Sequence, residues 1–237
     1  MYTHLRAAAV TGVALLGLTV LPAERSAGSG ALPEPRLRAA LLDTMDFPEG
    51  WAGDSARSAA ERGFGVPEPS ERDCRGLFDS AEETTARAGF ARTESGPFVT
   101  TVLAAHESAA AARAALDAFD DTAERCRTFH TREGPGGGAA TVSYHAAELD
   151  VGRLGEESTA VRFERRVDGP AHGAPVVADV VIARVGAQVV RVAQAGRADR
   201  GAGDLAAMAD RAVEKLEQVA DGQDPLPPAG QPGTTDL

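Results

Sequence analysis

The chain has 237 residues, 43% of them hydrophobic and 25% charged, which places it among ordinary globular proteins and excludes a wholly disordered one. Its formal net charge is −11, and acidity on that scale repels nucleic-acid phosphates and anionic lipid headgroups, so neither is an expected partner. Lys215 is the sole lysine, Ile182 the sole isoleucine, and asparagine is absent; with Arg as the available cation, an arginine does not by itself point to phosphate.

At the N-terminus, Arg6 precedes an apolar run from Ala7 to Leu21 that Pro22 breaks. The run is shorter than the roughly 20 apolar residues of a membrane span and reads as an export signal, with small-residue cleavage positions after Ala23 and Ala31. Residues 1–31 are therefore assigned to a signal peptide and lead-in, without a lipid-anchor cysteine. The expected location is extracellular, with no stable membrane insertion after cleavage.

A globular domain is expected over residues 32–220. It opens with a short helix around Leu37 to Met45, and Pro48 and Gly50 then form a turn presenting Trp51, the only tryptophan. Trp51 is a candidate to line a cleft, although a lone Trp beside such a turn more often anchors the chain to the core. Residues 53–69 read as loop. Ser70 with Asp73 gives a capping-box start to a helix that places Cys74, Leu77 and Phe78 on one face.

Two strands, near Ala86–Thr93 and Phe98–Ala105, precede the longest amphipathic pattern, Glu107 to Cys126. Ala112, Leu116, Phe119, Ala123 and Cys126 share one helical face, and Arg113, Asp117, Asp120, Asp121 and Glu124 form the other. Those acids resemble hydrolytic or calcium-binding carboxylates only in composition; on an outer helix face the simpler role is solvation. Both cysteines fall on apolar faces of an exported chain, so a Cys74–Cys126 disulfide is expected, worth about 4 kcal/mol through the unfolded state. The absence of a C-x-x-C motif argues against a metal or redox pair.

Strands are expected at Arg127–Arg132 and Ala140–Ala147, joined by a Gly-rich loop that lacks the Gly-Lys-Ser/Thr of a phosphate cradle. His130 and His145 sit on these strands as candidate ligand-binding residues. Paired with a carboxylate they would suit a metal, while exposed strand histidines are the plainer reading. Ser158–Val167 alternates, with Thr159, Val161 and Phe163 against Arg162, Glu164 and Arg166. Pro175–Val185 is apolar on both faces, the mark of an interior strand, and contains Asp179 as a buried functional acid or, more commonly, a solvent-reaching or paired residue. Gly186-Ala187 suits a type II′ hairpin into Gln188–Ala195. Asp204–Val219 forms the last helix, buried through Leu205, Met208, Ala209, Ala212, Leu216 and Val219, and residues 221–237 read as a disordered tail.

No nucleophile elbow, S-x-x-K, H-E-x-x-H or dinucleotide fingerprint occurs, and no cofactor is implied. The pattern predicts an α+β fold: a mainly antiparallel sheet of about six or seven strands with helices packed against it and one disulfide. In order along the chain, Phe47-Pro48-Glu49-Gly50-Trp51, Cys74, Gly96-Pro97-Phe98, the helix running to Cys126, Leu154-Gly155-Glu156-Glu157-Ser158, Ile182-Ala183-Arg184-Val185-Gly186 and Ala212-Val213-Glu214-Lys215-Leu216 resemble the PknH-like extracellular sensor domain family and its free-standing exported actinobacterial members. The resemblance implies helices on an antiparallel sheet, a cleft for an unidentified ligand, and no chemistry. Two departures are that this chain carries no kinase or transmembrane segment, and that it has one cysteine pair where the kinase domain has two. The expected function is an exported, monomeric, non-enzymatic domain that binds a small molecule or an envelope component. The alternatives are a secreted hydrolase with an unrecognised site and a structural or interaction protein of the envelope.

Overall fold

The computed structural model describes residues 30–54, 66, 68–77, 84–93, 96–133, 140–166, 177–196 and 202–228. Eight antiparallel strands form one sheet: β1 Ala52–Asp54, β2 Thr84–Ala91, β3 Phe98–Ala105, β4 Thr128–Glu133, β5 Ala140–Glu148, β6 Glu157–Arg166, β7 Val177–Val185 and β8 Gln188–Gly196. Their order is β1-β2-β3-β8-β7-β6-β5-β4, so the last hairpin lies in the middle and the two halves of the chain flank it. The helices are α1 Glu34–Ala39, α2 Ala109–Arg125 and α3 Ala202–Ala220, with short 3-10 helices at Thr44–Asp46 and Arg72–Leu77.

Successive residues of a strand point to opposite faces, and β7 shows what that does here. All nine of its residues are buried because both faces are covered. Val181, Ala183 and Val185 join Leu37, Leu42, Phe47, Leu103, Leu205 and Leu216 in a core shared with α1 and α3. Ala178, Val180 and Ile182 join Leu116, Phe119, Phe129, Tyr144 and Phe163 in a second core under α2. Ser108 caps α2, its Oγ accepting the Ala111 N–H at 3.2 Å. The α2 stripe expected from spacing is the buried one: Ala112, Leu116, Phe119, Ala123 and Cys126 are each at most 8% exposed. Cys126 ends the helix in a disulfide to Cys74, with Cα atoms 5.7 Å apart.

The structure corrects several boundaries. The sheet has eight strands, because β1, three residues without alternation of which the composition assigns Gly53 and Asp54 to loop, pairs with Gly89–Ala91 through its backbone. The helix expected over Leu37–Met45 is two pieces. Asp43 starts a new 3-10 turn, its carboxylate accepting the Met45 N–H at 2.8 Å while Asp46 accepts the Asp43 N–H at 2.8 Å. The helix expected from Ser70 is a 3-10 helix from Arg72, since a six-residue piece pinned by a disulfide gains more from its contacts than from α geometry. Phe78 and His172 lie outside the described residues, as do residues 1–29 and 229–237. Residues 221–228 run back along α3, where the Leu226 N–H donates to Gln218 Oε1 at 2.9 Å and Arg36 Nη2 donates to the Gln223 carbonyl at 3.0 Å.

Two glycines are demanded by position. Gly186 opens the two-residue β7–β8 turn with φ +59°, and Ala187 has negative φ, the type II′ combination. Gly155, at φ +57°, passes beneath β7 so closely that a Cβ there would lie 2.6 Å from the Arg184 carbonyl oxygen.

Candidate functional site

The second face of the sheet is wider than α2, and where the helix edge meets β5 and β6 it leaves a groove of about 490 Å³. Leu116 and Ala123 from α2 and Ala146 and Val161 from the strands line it with buried apolar surface. Asp117, Asp120 and Glu124, one helical turn apart, border it from α2, and Glu148 at the end of β5 borders it from the sheet. Thr159 donates its hydroxyl to Asp120 Oδ1 at 2.9 Å and so fixes that carboxylate against β6. Among the described residues, no ion pair joins Asp117, Glu124 or Glu148 to a cation, although Arg127 is also part of the wall. The buried carboxylate of the central strand is matched: Asp179, 5% exposed, accepts Nε and Nη2 of Arg162 at 2.7 Å each. Asp179 is thereby the paired acid among the readings its sequence position allows, and its burial removes the solvent-reaching one.

The acids of α2 that spacing placed on a solvated back thus divide. Asp117, Asp120 and Glu124 turn toward the groove, and Asp121 is not part of its wall. Periodicity marked the polar face of the helix and had no means of showing that β5 and β6 extend beyond it.

Of the candidates drawn from the sequence, His145 is part of the groove wall, while Trp51 and His130 lie elsewhere. Trp51 is half-buried against the first core, its ring 5.3 Å from Phe47, which in turn lies 4.3 Å from Phe90. The register sets His130 opposite Ser143 and His145 opposite Thr128, so the two histidines are diagonal neighbours on one face of the β4–β5 pair. Both are exposed, and they turn to different partners. His145 Nδ1 lies 3.3 Å from Thr128 Oγ1, and His130 Nδ1 lies 2.7 Å from Glu71 Oε1. Burial pushes the Glu71 carboxyl up, but its bonds from the His130 N–H and imidazole outweigh this and hold it below the usual carboxylate value. Among the described residues no cluster of three or more His, Cys, Asp and Glu side chains is suited to a metal.

A second concentration of charge lies between α3 and the N-terminal segment. Lys215, 4% exposed, donates Nζ to Asp46 at 2.7 Å and to Asp43 at 3.0 Å, while Arg211 Nε donates to the other Asp46 oxygen at 2.8 Å. Burial of Asp46 favours its neutral form, yet the bonds from Lys215, the Asp43 N–H and Arg211 outweigh it and hold the carboxyl below its ordinary value. Every partner is satisfied within the protein, so this cluster is a fastening for the chain before Trp51.

The sheet, its helices and its disulfide define an α+β architecture with helices on both faces of one antiparallel sheet. That fold is similar to the crystal structure of the extracellular domain of PknH from Mycobacterium tuberculosis, with a TM-score of 0.58 and 17% identity over 81% of this chain and 100% of that one. No protein-family model matches the chain, and no curated protein does. Among the described residues no helix is long and apolar enough to cross a membrane.

Proposed function

We propose that this protein is an exported, non-enzymatic binding domain of the envelope or extracellular space. Its ligand carries a cationic group on an apolar body and sits in the groove between α2 and β5–β6. The observation that carries this reading is the groove itself: buried apolar walls beneath Asp117, Glu124 and Glu148, none of which forms an ion pair with Arg127 in the wall or with any other cation among the described residues. A volume of about 490 Å³ is in the ordinary range for small-molecule sites, roughly 300–1,000 Å³. An organic cation would supply the missing charge to the rim and apolar surface to the floor. The likeness to an extracellular domain and the export-like N-terminus support the location.

The test is native mass spectrometry of protein recovered from culture medium, beside calorimetric titration with spermidine and with a short Arg/Lys peptide. Wild type should carry or bind such a molecule, with affinity falling as salt rises, and Asp117→Asn/Glu124→Gln should weaken it at least about tenfold. Protein that is reproducibly empty and binds neither probe overturns the proposal. Binding that survives the double substitution unchanged moves the site out of this groove.

A further inference from the structure

β4 is the outermost strand on its side of the sheet, so among the described residues its outer backbone groups face no ninth strand. His130 turns both its N–H and its C=O outward, and by the alternation of an antiparallel pair Phe129 and Thr131 turn theirs toward β5. Bare edges of this kind pair readily with other chains. Here a two-residue piece covers the centre of the edge. The Ser70 N–H donates to the His130 carbonyl at 2.7 Å, and Glu71 Oε2 accepts the His130 N–H at 2.9 Å, in the place a neighbouring strand's carbonyl would take. The other oxygen, Oε1, holds the His130 imidazole at 2.7 Å.

Cys74 and Cys126 close the opposite end of this cover. Cys74 follows Ser70 by four residues and Cys126 precedes His130 by four, so the disulfide and the Glu71 contacts are the two ends of one short ring. The two ends differ in kind. Both cysteines are at most 7% exposed and their link is covalent. The Glu71 and His130 side chains are 41% and 49% exposed and are joined by hydrogen bonds alone.

We propose that Ser70–Glu71 is a hinged clasp on the sheet edge: tethered at Cys74–Cys126 on one side and by Val66, 5% exposed in the second core, on the other, held shut by Glu71, and able to open locally so that the backbone of His130 is bared while the rest of the sheet stays paired. The hinge keeps an opened clasp close to its seat, so closure is a local event with a short loop to close. Glu71 is then a guard residue, and His130, singled out by the sequence as a ligand-binding candidate, is the group it guards.

Amide hydrogen exchange of the disulfide-bonded protein, resolved by residue, tests this. Glu71→Ala should speed exchange at His130 and Ser70 by about 10- to 100-fold, the loss of a charge-assisted bond, while Phe129 and Thr131 keep their wild-type rates. Glu71→Gln retains an acceptor oxygen for the His130 N–H and should fall between. The proposal is overturned if His130 in either variant exchanges at the wild-type rate. It is equally overturned if Phe129 and Thr131 accelerate in step with His130, because opening would then be loss of the strand and not of a clasp. Should Glu71→Ala fail to fold, the same comparison on Glu71→Gln decides.

Discussion

Asp46 offers the sharpest test of how this fold is fastened. Its side chain is 1% exposed and its oxygens take one bond from Lys215 and one from Arg211, themselves 4% and 10% exposed. Asp46→Ala leaves Lys215 with Asp43 alone, a carboxylate 60% exposed, and leaves Arg211 with Glu214 and the Leu226 carbonyl. Three charge-assisted bonds are lost, those from Lys215, Arg211 and the Asp43 N–H, and with the freed cations falling back on Asp43 and Glu214 the loss comes to about 3–5 kcal/mol. That is a large part of the roughly 5–15 kcal/mol available to a domain. Urea unfolding followed by Trp51 fluorescence reads it directly, since Trp51 packs on Phe47, the residue after Asp46. The folded-state pKa is depressed, so this stabilisation is full above the ordinary carboxylate range and fades as pH falls through the lowered value. Wild type and Asp46→Ala should therefore converge in strong acid. Adding Lys215→Met should recover part of the loss by removing the stranded charge. A loss under about 1 kcal/mol at neutral pH, or a double variant no more stable than the single one, would refute the argument.

Phe119→Ala should cost about 3–5 kcal/mol in the same assay, because the ring is 3% exposed within the second core, with Arg191 5.4 Å above it. A loss well below 1 kcal/mol would contradict its place in that core. Replacing both cysteines by Ser removes a cross-link between residues 52 apart and should lower stability by about 4 kcal/mol, with alkylation of native protein labelling neither thiol before reduction. Glu217 is pushed up by burial and then by Asp221, Asp210, Glu156 and Glu214, so its charge opposes folding at neutral pH. Glu217→Gln should raise the thermal midpoint slightly, a gain that solvent screening keeps within about 0.5 kcal/mol. Because the folded pKa is the raised one, the difference should close as pH falls through it, and a constant difference down to acid pH would argue against this cause.

Much of the architecture was legible because it depends on neighbours in sequence. The periods of 3.6 and 2 marked the buried stripe of α2, the two-sided burial of β7 and the alternation of β6, and Gly186-Ala187 marked the hairpin. β1 escaped because three residues carry no period, and the Arg72–Leu77 helix was mistyped because its form is imposed by Cys126 and by the β4 edge. In α3 the stripe was read, but Lys215 was not seen to be buried. Its partners Asp43 and Asp46 lie 172 and 169 residues away, and nothing local announces them.

By itself, then, the sequence determined which side of α2, β6 and α3 turns inward, the cysteine pairing and the α+β class, since side-chain periodicity and a single cysteine pair leave few alternatives. Only the tertiary structure decided that the acidic side of α2 faces a groove instead of open solvent, that His130 belongs to Glu71, and that the sole lysine fastens the N-terminal segment. Each of those rests on the lateral order of the strands and on how far the sheet extends past the helix laid across it. Such facts arise when distant segments meet, and no local pattern of residues encodes them.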